Sequence, residues 1–187
     1  MTKEEFVQYD NNWNSHRPLL WEALCELLKQ EPPMNPYVFE FGIGHGSTPF
    51  LADFCNNNVL YLLSFENNKE WFSKFDPLAD DHTIHFVHDW DSCDFMVDDN
   101  GGLIEVGLLF IDHAPGERRK VDIAKWANHA KIIVAHDTEP AADHGYQMRA
   151  ELKKFKYMLD YETNGAWATA VSNFIDVTKW KPWRKES

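Results

Sequence analysis

The segment YVFEFGIGHGSTPFLADF, residues 37–54, joins a short apolar run to a glycine-rich turn and then to a second apolar stretch. The run 37–41 predicts a strand, and 47–54 predicts a helix. In the turn between them, Gly42 permits a tight bend, and Gly44 permits a ligand to approach the backbone closely. A strand, a glycine turn and a helix in this order predict a ligand-binding loop; the alternative is a plain turn.

The spacing of the glycines excludes two common phosphate-binding loops. A dinucleotide fingerprint reads G-x-G-x-x-G, but Ser47 stands where its last glycine would be. The chain contains no G-x-x-x-x-G-K, so a P-loop is excluded as well. What remains is an acidic residue at the strand end, Glu40, followed by alternating glycines.

Strands and helices alternate along most of the chain, which predicts a mostly parallel sheet with helices on both faces. The predicted strands are 37–41, 60–65, 84–87, 106–111 and 131–135, and the predicted helices are 4–30, 47–54, 69–75, 117–129 and 145–154. Ser15 is expected to cap the first helix, and Val121 and Ala124 mark one apolar face of the fourth. Two further strands, 155–162 and 168–174, flank a turn at Asn164-Gly165 and predict an antiparallel hairpin.

The composition limits the class of protein. The 187 residues are 44% apolar and 26% charged, with a formal net charge of −12. Such an acidic surface repels phosphate backbones, so general nucleic-acid binding is not expected. Three widely spaced cysteines indicate neither a disulfide framework nor a cysteine-based zinc site. No apolar run reaches the length of a membrane span and the first residues are unlike a secretory signal, so we expect a cytoplasmic protein without a membrane partner.

The pattern Glu40-x-Gly42-x-Gly44-x-Gly46 resembles the first motif of the class I S-adenosylmethionine-dependent methyltransferases. The resemblance implies an α/β Rossmann-like three-layer sandwich, with a mostly parallel seven-stranded sheet, a C-terminal antiparallel hairpin and N-terminal helices. It implies one domain over 1–187, made of a helical lid (1–33, including Trp13), a core (36–176) and a tail (177–187). It also implies S-adenosyl-L-methionine as the cofactor. The tail favours a docking or homo-oligomer contact.

Successive strand ends supply the cofactor residues that the resemblance implies. Glu66 ends the second strand, where the family uses a carboxylate to accept from both ribose hydroxyls. Asp89 and Trp90 follow the third strand, where the family contacts adenine; His88 or Asp91 could take the role of Asp89 instead. The implied cofactor residues are Glu40, Gly42, Gly44, Gly46, Ser47, Glu66, Asn67, Asp89, Trp90 and Asp112.

Acidic residues follow the fourth and fifth strands, whose ends should be neighbours in the sheet. Asp112 follows the fourth, and His136-Asp137 end the fifth. This arrangement is similar to the metal-dependent O-methyltransferases, in which such residues hold magnesium and activate an alcohol oxygen. Asp112, His136 and Asp137 are then the implied ligands of a divalent metal, magnesium or manganese. A histidine in the set favours manganese, iron or zinc over magnesium.

The same resemblance implies a catalytic set. Its members are Asp112, His113, His136 and Asp137. Either histidine is a candidate general base, because imidazole titrates near neutral pH. The lysine base of the catechol-type enzymes does not transfer, since its position is occupied here by Pro115. Alternatively, the carboxylates only cap helices or pair with Arg118 and Arg119.

These residues together predict an S-adenosylmethionine-dependent methyltransferase that acts on a small-molecule acceptor, most simply on oxygen. Arg118 and Tyr146 are candidate substrate residues. The alternatives are that Arg118 pairs with nearby carboxylates and that Tyr146 only packs. Two other functions use the same cleft: a metal-assisted hydrolase or lyase, and a non-catalytic binding protein that keeps the fold.

Overall fold

Seven strands form a single sheet in the computed structural model, which describes residues 14–29, 35–78, 80–91, 96, 102–163 and 165–184. The strands are β1 (Tyr37–Phe41), β2 (Tyr61–Glu66), β3 (His82–Phe86), β4 (Val106–Ile111), β5 (Ala130–His136), β6 (Tyr157–Tyr161) and β7 (Ala168–Ser172). Their order is β3-β2-β1-β4-β5-β7-β6. The first five are parallel, and β7 is antiparallel to both β5 and β6. The predicted α/β fold and C-terminal hairpin are confirmed, although Asn164 of the predicted turn lies outside the described residues.

Short helices connect these strands. They are α1 (Arg17–Leu27), α2 (Thr48–Asn57), α3 (Lys69–Phe72), α4 (Arg119–Trp126), α5 (Pro140–Tyr146) and α6 (Arg149–Leu152), with 3₁₀ turns at Gly116–Arg118 and Val177–Lys179. No helix among the described residues is both long enough and apolar enough to span a bilayer. The connections leave the carboxyl ends of β1, β4 and β5 side by side, where a ligand site is expected.

Alternate residues of the central strands face two apolar layers. In β1, Val38 packs with the layer that contains α1 and α2, whereas Phe39 and Phe41 pack with the opposite layer, which contains Trp126 of α4. Every residue of β4 is buried, because this strand lies at the centre of the sheet between both layers. That position explains its continuous apolar run.

The predicted helix 145–154 is wrong in its limits. The structure has two helices there, α5 beginning at Pro140 and α6 beginning at Arg149. Between them Gln147 adopts a left-handed backbone with φ of 56°, which ends α5. Pro140 suits the first turn of α5, because it lacks an N–H that would in any case be unpaired there.

The predicted apolar face of α4 is also wrong. Val121 is 45% exposed, and Ala124 is exposed as well. The buried face instead carries two charged residues, Arg119 and Asp122, beside Ile123 and Trp126. Buried charged side chains need partners of opposite charge, and the partners of Arg119 and Asp122 are described below with the candidate site.

The N-terminal helix is shorter than predicted within the described residues. It begins at Arg17, and Ser15 does not cap it, since its hydroxyl is 3.0 Å from Nε2 of His136. Residues 1–13, including Trp13 of the predicted lid, lie outside the described residues. The apolar stripe of the helix is buried as its spacing predicts, from Leu19 to Leu27.

Candidate active site

Gly42 brings the loop after β1 against the end of β4. Its φ is +91°, and a Cβ there would lie 2.7 Å from the backbone of Asp112 and His113. The Gly42 amide donates to the Phe65 carbonyl at 2.8 Å, and the Asp112 amide donates to the Phe41 carbonyl at the same distance. Gly42 therefore forms the predicted tight turn and allows the ends of β1, β2 and β4 to pack closely together.

Gly44 has a different environment. The nearest atom that a Cβ there would meet is the Ser47 hydroxyl, 3.7 Å away. Its backbone borders a cavity of about 550 Å³, a size that is usual for small-molecule sites. The described residues that line this cavity are Asn14, His16, Ile43, Gly44, His45, Gly46, Ser47, Trp71, Asp112, Arg119, His136 and Asp137. Gly44 is thus not crowded by protein atoms, and its backbone lies at the wall of the cavity where a ligand would approach.

Glu40 lies beneath this loop and is fully buried. Its carboxylate accepts hydrogen bonds from the hydroxyls of Ser47 at 2.5 Å, Ser64 at 2.6 Å and Thr48 at 3.0 Å. Burial raises the pKa of Glu40 to about 7, even though the three hydroxyls favour the ionised form. Glu40 therefore holds the loop in place from below.

Glu66 is turned toward the backbone of the same loop. Its two oxygens accept from the amides of Ile43 at 3.3 Å and Asn68 at 2.6 Å, and burial raises its pKa. A carboxylate has four acceptor positions, so further donors can still be accommodated. The neighbouring Asn67 has a buried Oδ1 without a hydrogen-bond partner among the described residues. Trp71 donates from Nε1 to the Ile43 carbonyl at 2.7 Å and lines the cavity with its ring.

The two residues predicted to meet adenine are absent from the described lining of the cavity. Asp89 is exposed, and its Oδ1 accepts from the Asp91 amide at 3.0 Å. Trp90 is buried and stacks on His113, with ring centroids 4.3 Å apart, while its Nε1 donates to the Ala114 carbonyl. One face of the Trp90 ring is therefore already covered by protein.

His113, a predicted catalytic residue, is also directed away from the cavity. It is buried, and its Nε2 is 2.9 Å from Oδ2 of Asp122 on α4. Arg118, a predicted substrate residue, bonds the same Asp122 at 3.0 Å and Asp91 at 2.9 Å, and these carboxylates raise its pKa against the effect of burial. Tyr146 packs against Gly116, where a Cβ would lie 2.2 Å from its ring. These residues form a packed cluster behind the site.

Asp112, His136 and Asp137 meet at the cavity, as the order of the strands predicts. His136 Nδ1 lies 3.5 Å from Oδ2 of Asp112 and 3.3 Å from Oδ1 of Asp137. Burial opposes charge on the imidazole, but the two carboxylates raise the pKa of His136 overall. The pKa of Asp112 is lowered, because His136 and Arg119 outweigh the effect of burial.

Arg119 binds both carboxylates of this group, a role that sequence reasoning assigned to it only as an alternative. Its NH2 lies 3.0 Å from Oδ1 of Asp112, and its NH1 lies 3.1 Å from Oδ2 of Asp137. Its Nε donates to the His113 carbonyl at 2.7 Å, and its other N–H groups reach the carbonyls of His136 and Asp112. Arg119 thus ties the ends of β4 and β5 together from the first turn of α4. The backbone of Asp137, directly after β5, is itself in the strained left-handed region, with φ of 56°.

His16 belongs to the segment 1–33, for which the sequence predicts only a lid. It is 1% exposed, lines the cavity and packs its ring edge against His136, with centroids 4.8 Å apart. Among the described residues, neither ring nitrogen has a well-formed hydrogen bond. Burial, together with His136, places its pKa well below the ordinary value. The residues around His16 do not predict that it lines the cavity, because its contact with β5 depends on how α1 packs on the sheet.

Three solved structures are similar to this fold, and two of them are O-methyltransferases by name. The O-methyltransferase TomG from Streptomyces achromogenes, in complex with S-adenosylmethionine, is 14% identical, with a TM-score of 0.56 over 92% of this chain and 99% of that one. The O-methyltransferase from Bacillus cereus, in complex with S-adenosylhomocysteine, is 13% identical, with a TM-score of 0.55 over 90% and 94%. Cofactor-bound Rv0187 from MTB is 16% identical, with a TM-score of 0.60 over 90% and 83%.

No protein-family model and no curated protein matches the chain. The strand order, the glycine loop after β1 and the likeness to these structures nevertheless agree. The chain therefore has the Rossmann-like fold of the class I S-adenosylmethionine-dependent methyltransferases.

Proposed function

We propose that this protein is an S-adenosylmethionine-dependent methyltransferase that methylates an oxygen of a small-molecule acceptor. The observation that carries the proposal is the cavity of about 550 Å³ beside Gly44 and Gly46, at the carboxyl ends of β1, β4 and β5. Two solved structures of this fold contain S-adenosylmethionine or S-adenosylhomocysteine. Fold alone leaves function open, so the local chemistry has to support the assignment.

The residues around the glycine loop suit this cofactor. Gly44 leaves its backbone open, Asn67 has an unpartnered buried oxygen, and Glu66 has acceptor positions to spare. We assign Glu66 and Asn67 to the ribose and adenosyl groups, and the backbone of residues 44–46 to the methionine portion. Glu66 and Asn67 are not in the described cavity lining themselves, but Glu66 bonds the amide of Ile43, which is. When bound, S-adenosylmethionine supplies a sulfonium methyl group, which goes to the acceptor and leaves S-adenosylhomocysteine.

The acceptor belongs at the ends of β4 and β5 in this proposal. Asp112 presents a partly exposed carboxylate to the cavity, and its lowered pKa keeps it ionised. An ionised carboxylate accepts a hydrogen bond from an acceptor hydroxyl, aligns its oxygen for in-line transfer, and takes up the proton that the hydroxyl loses when its oxygen is methylated. Arg119 and His136 hold that carboxylate in place. His45 and Trp71 line the cavity with their rings 5.4 Å apart between centroids, and they offer flat aromatic surfaces on which a small acceptor can pack.

Calorimetry with S-adenosylhomocysteine tests the proposal. Wild-type protein is expected to bind one equivalent. Gly44→Val should weaken binding at least about tenfold, which is about 1.4 kcal/mol, because its side chain occupies the open face of the loop. Gly145→Ala is the matched control, since a Cβ at that helical position meets nothing within 4 Å.

Thermal melting of all three proteins separates a binding effect from a folding effect. We expect Gly44→Val to melt close to wild type, because a Cβ at this position would lie 3.7 Å or more from every described protein atom beyond its chain neighbours, which is ordinary van der Waals contact. Absence of binding to folded wild-type protein would overturn the proposed function. Equal affinity in wild type and a folded Gly44→Val would overturn the assignment of the loop.

A further inference from the structure

His16 is a buried ligand-type side chain that lines the site; the backbone of Gly46 lies close to its ring, but neither ring nitrogen has a well-formed hydrogen bond to a described residue. Its ring is packed against Phe110, with centroids 4.7 Å apart, and both ring nitrogens lack a well-formed hydrogen bond within the described part of the chain. A buried polar group without a partner destabilises the folded protein unless something else binds it. The cavity that His16 lines is the place where such a partner would sit.

His136 is oriented as metal-binding histidines usually are. The Ser15 hydroxyl is 3.0 Å from its Nε2, which leaves Nδ1 directed at the carboxylates of the site. Histidines that bind metals commonly engage their second ring nitrogen with an outer partner, which fixes the ring. Ser15 precedes His16 in the chain, so one short segment orients one histidine and supplies the other.

The two oxygens of Asp112 face different partners. Arg119 binds Oδ1 at 3.0 Å, while Oδ2 faces Nδ1 of His136 at 3.5 Å. Ligand atoms bound to one tetrahedral ion lie about 3.4 Å apart, so this separation suits a shared cation. When His136 is neutral, as a metal ligand must be, Asp112 and Asp137 carry two negative charges against one on Arg119, which favours a cation between them.

We propose that His16, Asp112 and His136 form a binding site for one divalent transition-metal ion at the inner end of the cavity. Each residue offers one donor atom, and the three atoms lie within 4.8 Å of one another. This set differs from the ligands that the sequence implies, because His16 replaces Asp137. Asp112 and His136 already have nearly the separation that bond lengths of about 2.0–2.2 Å require, whereas His16 has to approach them by up to about 1.4 Å.

The donor set determines which metals fit. Two imidazole nitrogens and one carboxylate suit zinc, manganese, iron or cobalt, whereas magnesium and calcium prefer oxygen ligands. Three protein ligands leave coordination positions open toward the cavity, as in catalytic rather than structural sites. The inference deepens the proposed function, since an acceptor oxygen bound at an open position would be polarised beside the methyl donor.

Titration of chelator-treated protein with Co²⁺ tests the site directly. Visible absorption of Co²⁺ reports nitrogen coordination, and calorimetry gives the stoichiometry and affinity. We expect one equivalent to bind wild-type protein, and millimolar Mg²⁺ to compete poorly. His16→Phe should weaken Co²⁺ binding at least about tenfold, because it keeps the ring packed on Phe110 but removes both nitrogens. His144→Ala is the control, since His144 is exposed and lies outside the cavity lining.

A second variant guards against a folding artefact. His136→Ala removes another ligand, and thermal melting of each variant without metal reports whether it is folded. Added Co²⁺ should raise the melting temperature of wild type and His144→Ala, but not that of the two ligand variants. The proposal is wrong if folded His16→Phe binds Co²⁺ as tightly as wild type, or if wild type binds none.

The test also distinguishes this inference from the proposed function. S-adenosylhomocysteine binding is measured on the same chelator-treated protein. Binding of S-adenosylhomocysteine without binding of Co²⁺ would refute the metal site and leave the methyltransferase proposal intact. Binding of Co²⁺ without S-adenosylhomocysteine would refute the methyltransferase proposal and leave the metal site intact.

Discussion

Replacing Glu40 with glutamine tests how the glycine loop is supported. Glu40 is fully buried among hydroxyl groups, and its pKa in the folded protein is about 7, against an ordinary value of 4.5. Between these two pH values the folded chain holds a proton that the unfolded chain has lost. The contribution of Glu40 to stability therefore decreases as pH rises from about 4.5 to about 7, and is constant above that range.

The size of the effect follows from the same pKa difference. Each pKa unit corresponds to about 1.4 kcal/mol, so ionisation of Glu40 costs roughly 3 kcal/mol of stability above pH 7. Glutamine has nearly the same shape and cannot ionise, so Glu40→Gln avoids this cost. Because wild type has lost part of this stability by pH 5, the variant should gain about 2–3 kcal/mol relative to wild type between pH 5 and pH 8.5. Groups that titrate equally in both proteins cancel in the difference.

Urea unfolding followed by tryptophan fluorescence measures this difference at pH 5, 6, 7 and 8.5. Glu70→Gln serves as the control, because the Glu70 side chain is 86% exposed; its difference from wild type should be small at every pH. A constant difference between wild type and Glu40→Gln across the pH range would refute the reasoning, since burial would then not affect ionisation of Glu40.

Three further substitutions test the packing of the fold by urea unfolding. Gly42→Ala should lose at least about 2 kcal/mol, because alanine is strained at φ of +91° and its Cβ would contact the Asp112 backbone. Trp126→Ala should lose about 3–5 kcal/mol, since it empties a fully buried ring from the layer beside β1; a loss below 1 kcal/mol would contradict that packing. Arg149→Ala should lose about 1–2 kcal/mol at pH 7 by removing the bidentate partner of Asp160. Because Arg149 helps to lower the pKa of Asp160, the loss should shrink as acid protonates that carboxyl, and an equal loss at pH 3 would contradict this account.

Strand positions were predictable where the local pattern was strong. The limits of β1 and β4 agree with prediction, because each is a short apolar run bounded by turn residues. The face of α4 was not predictable in the same way. Its apolar residues Val121 and Ala124 point to solvent, while Arg119 and Asp122 are buried by partners that come from other parts of the chain.

The sequence by itself determined the fold and the loop. Alternating apolar runs and the glycines after β1 are local features, so they specify a parallel sheet and a ligand-binding turn without knowledge of distant contacts. The same features predict that Asp112 and His136 lie close together, because the ends of neighbouring parallel strands are adjacent in the sheet.

Only the tertiary structure decided which groups face the cavity. His113, a predicted catalytic residue, and Trp90, a predicted cofactor residue, both follow strand ends. In the structure, however, their rings stack on each other behind the site. His16 lies 120 positions before His136 in the chain and reaches it only because α1 packs across the sheet. Side-chain direction at a strand end depends on the partners supplied by distant helices, and no local pattern encodes those partners.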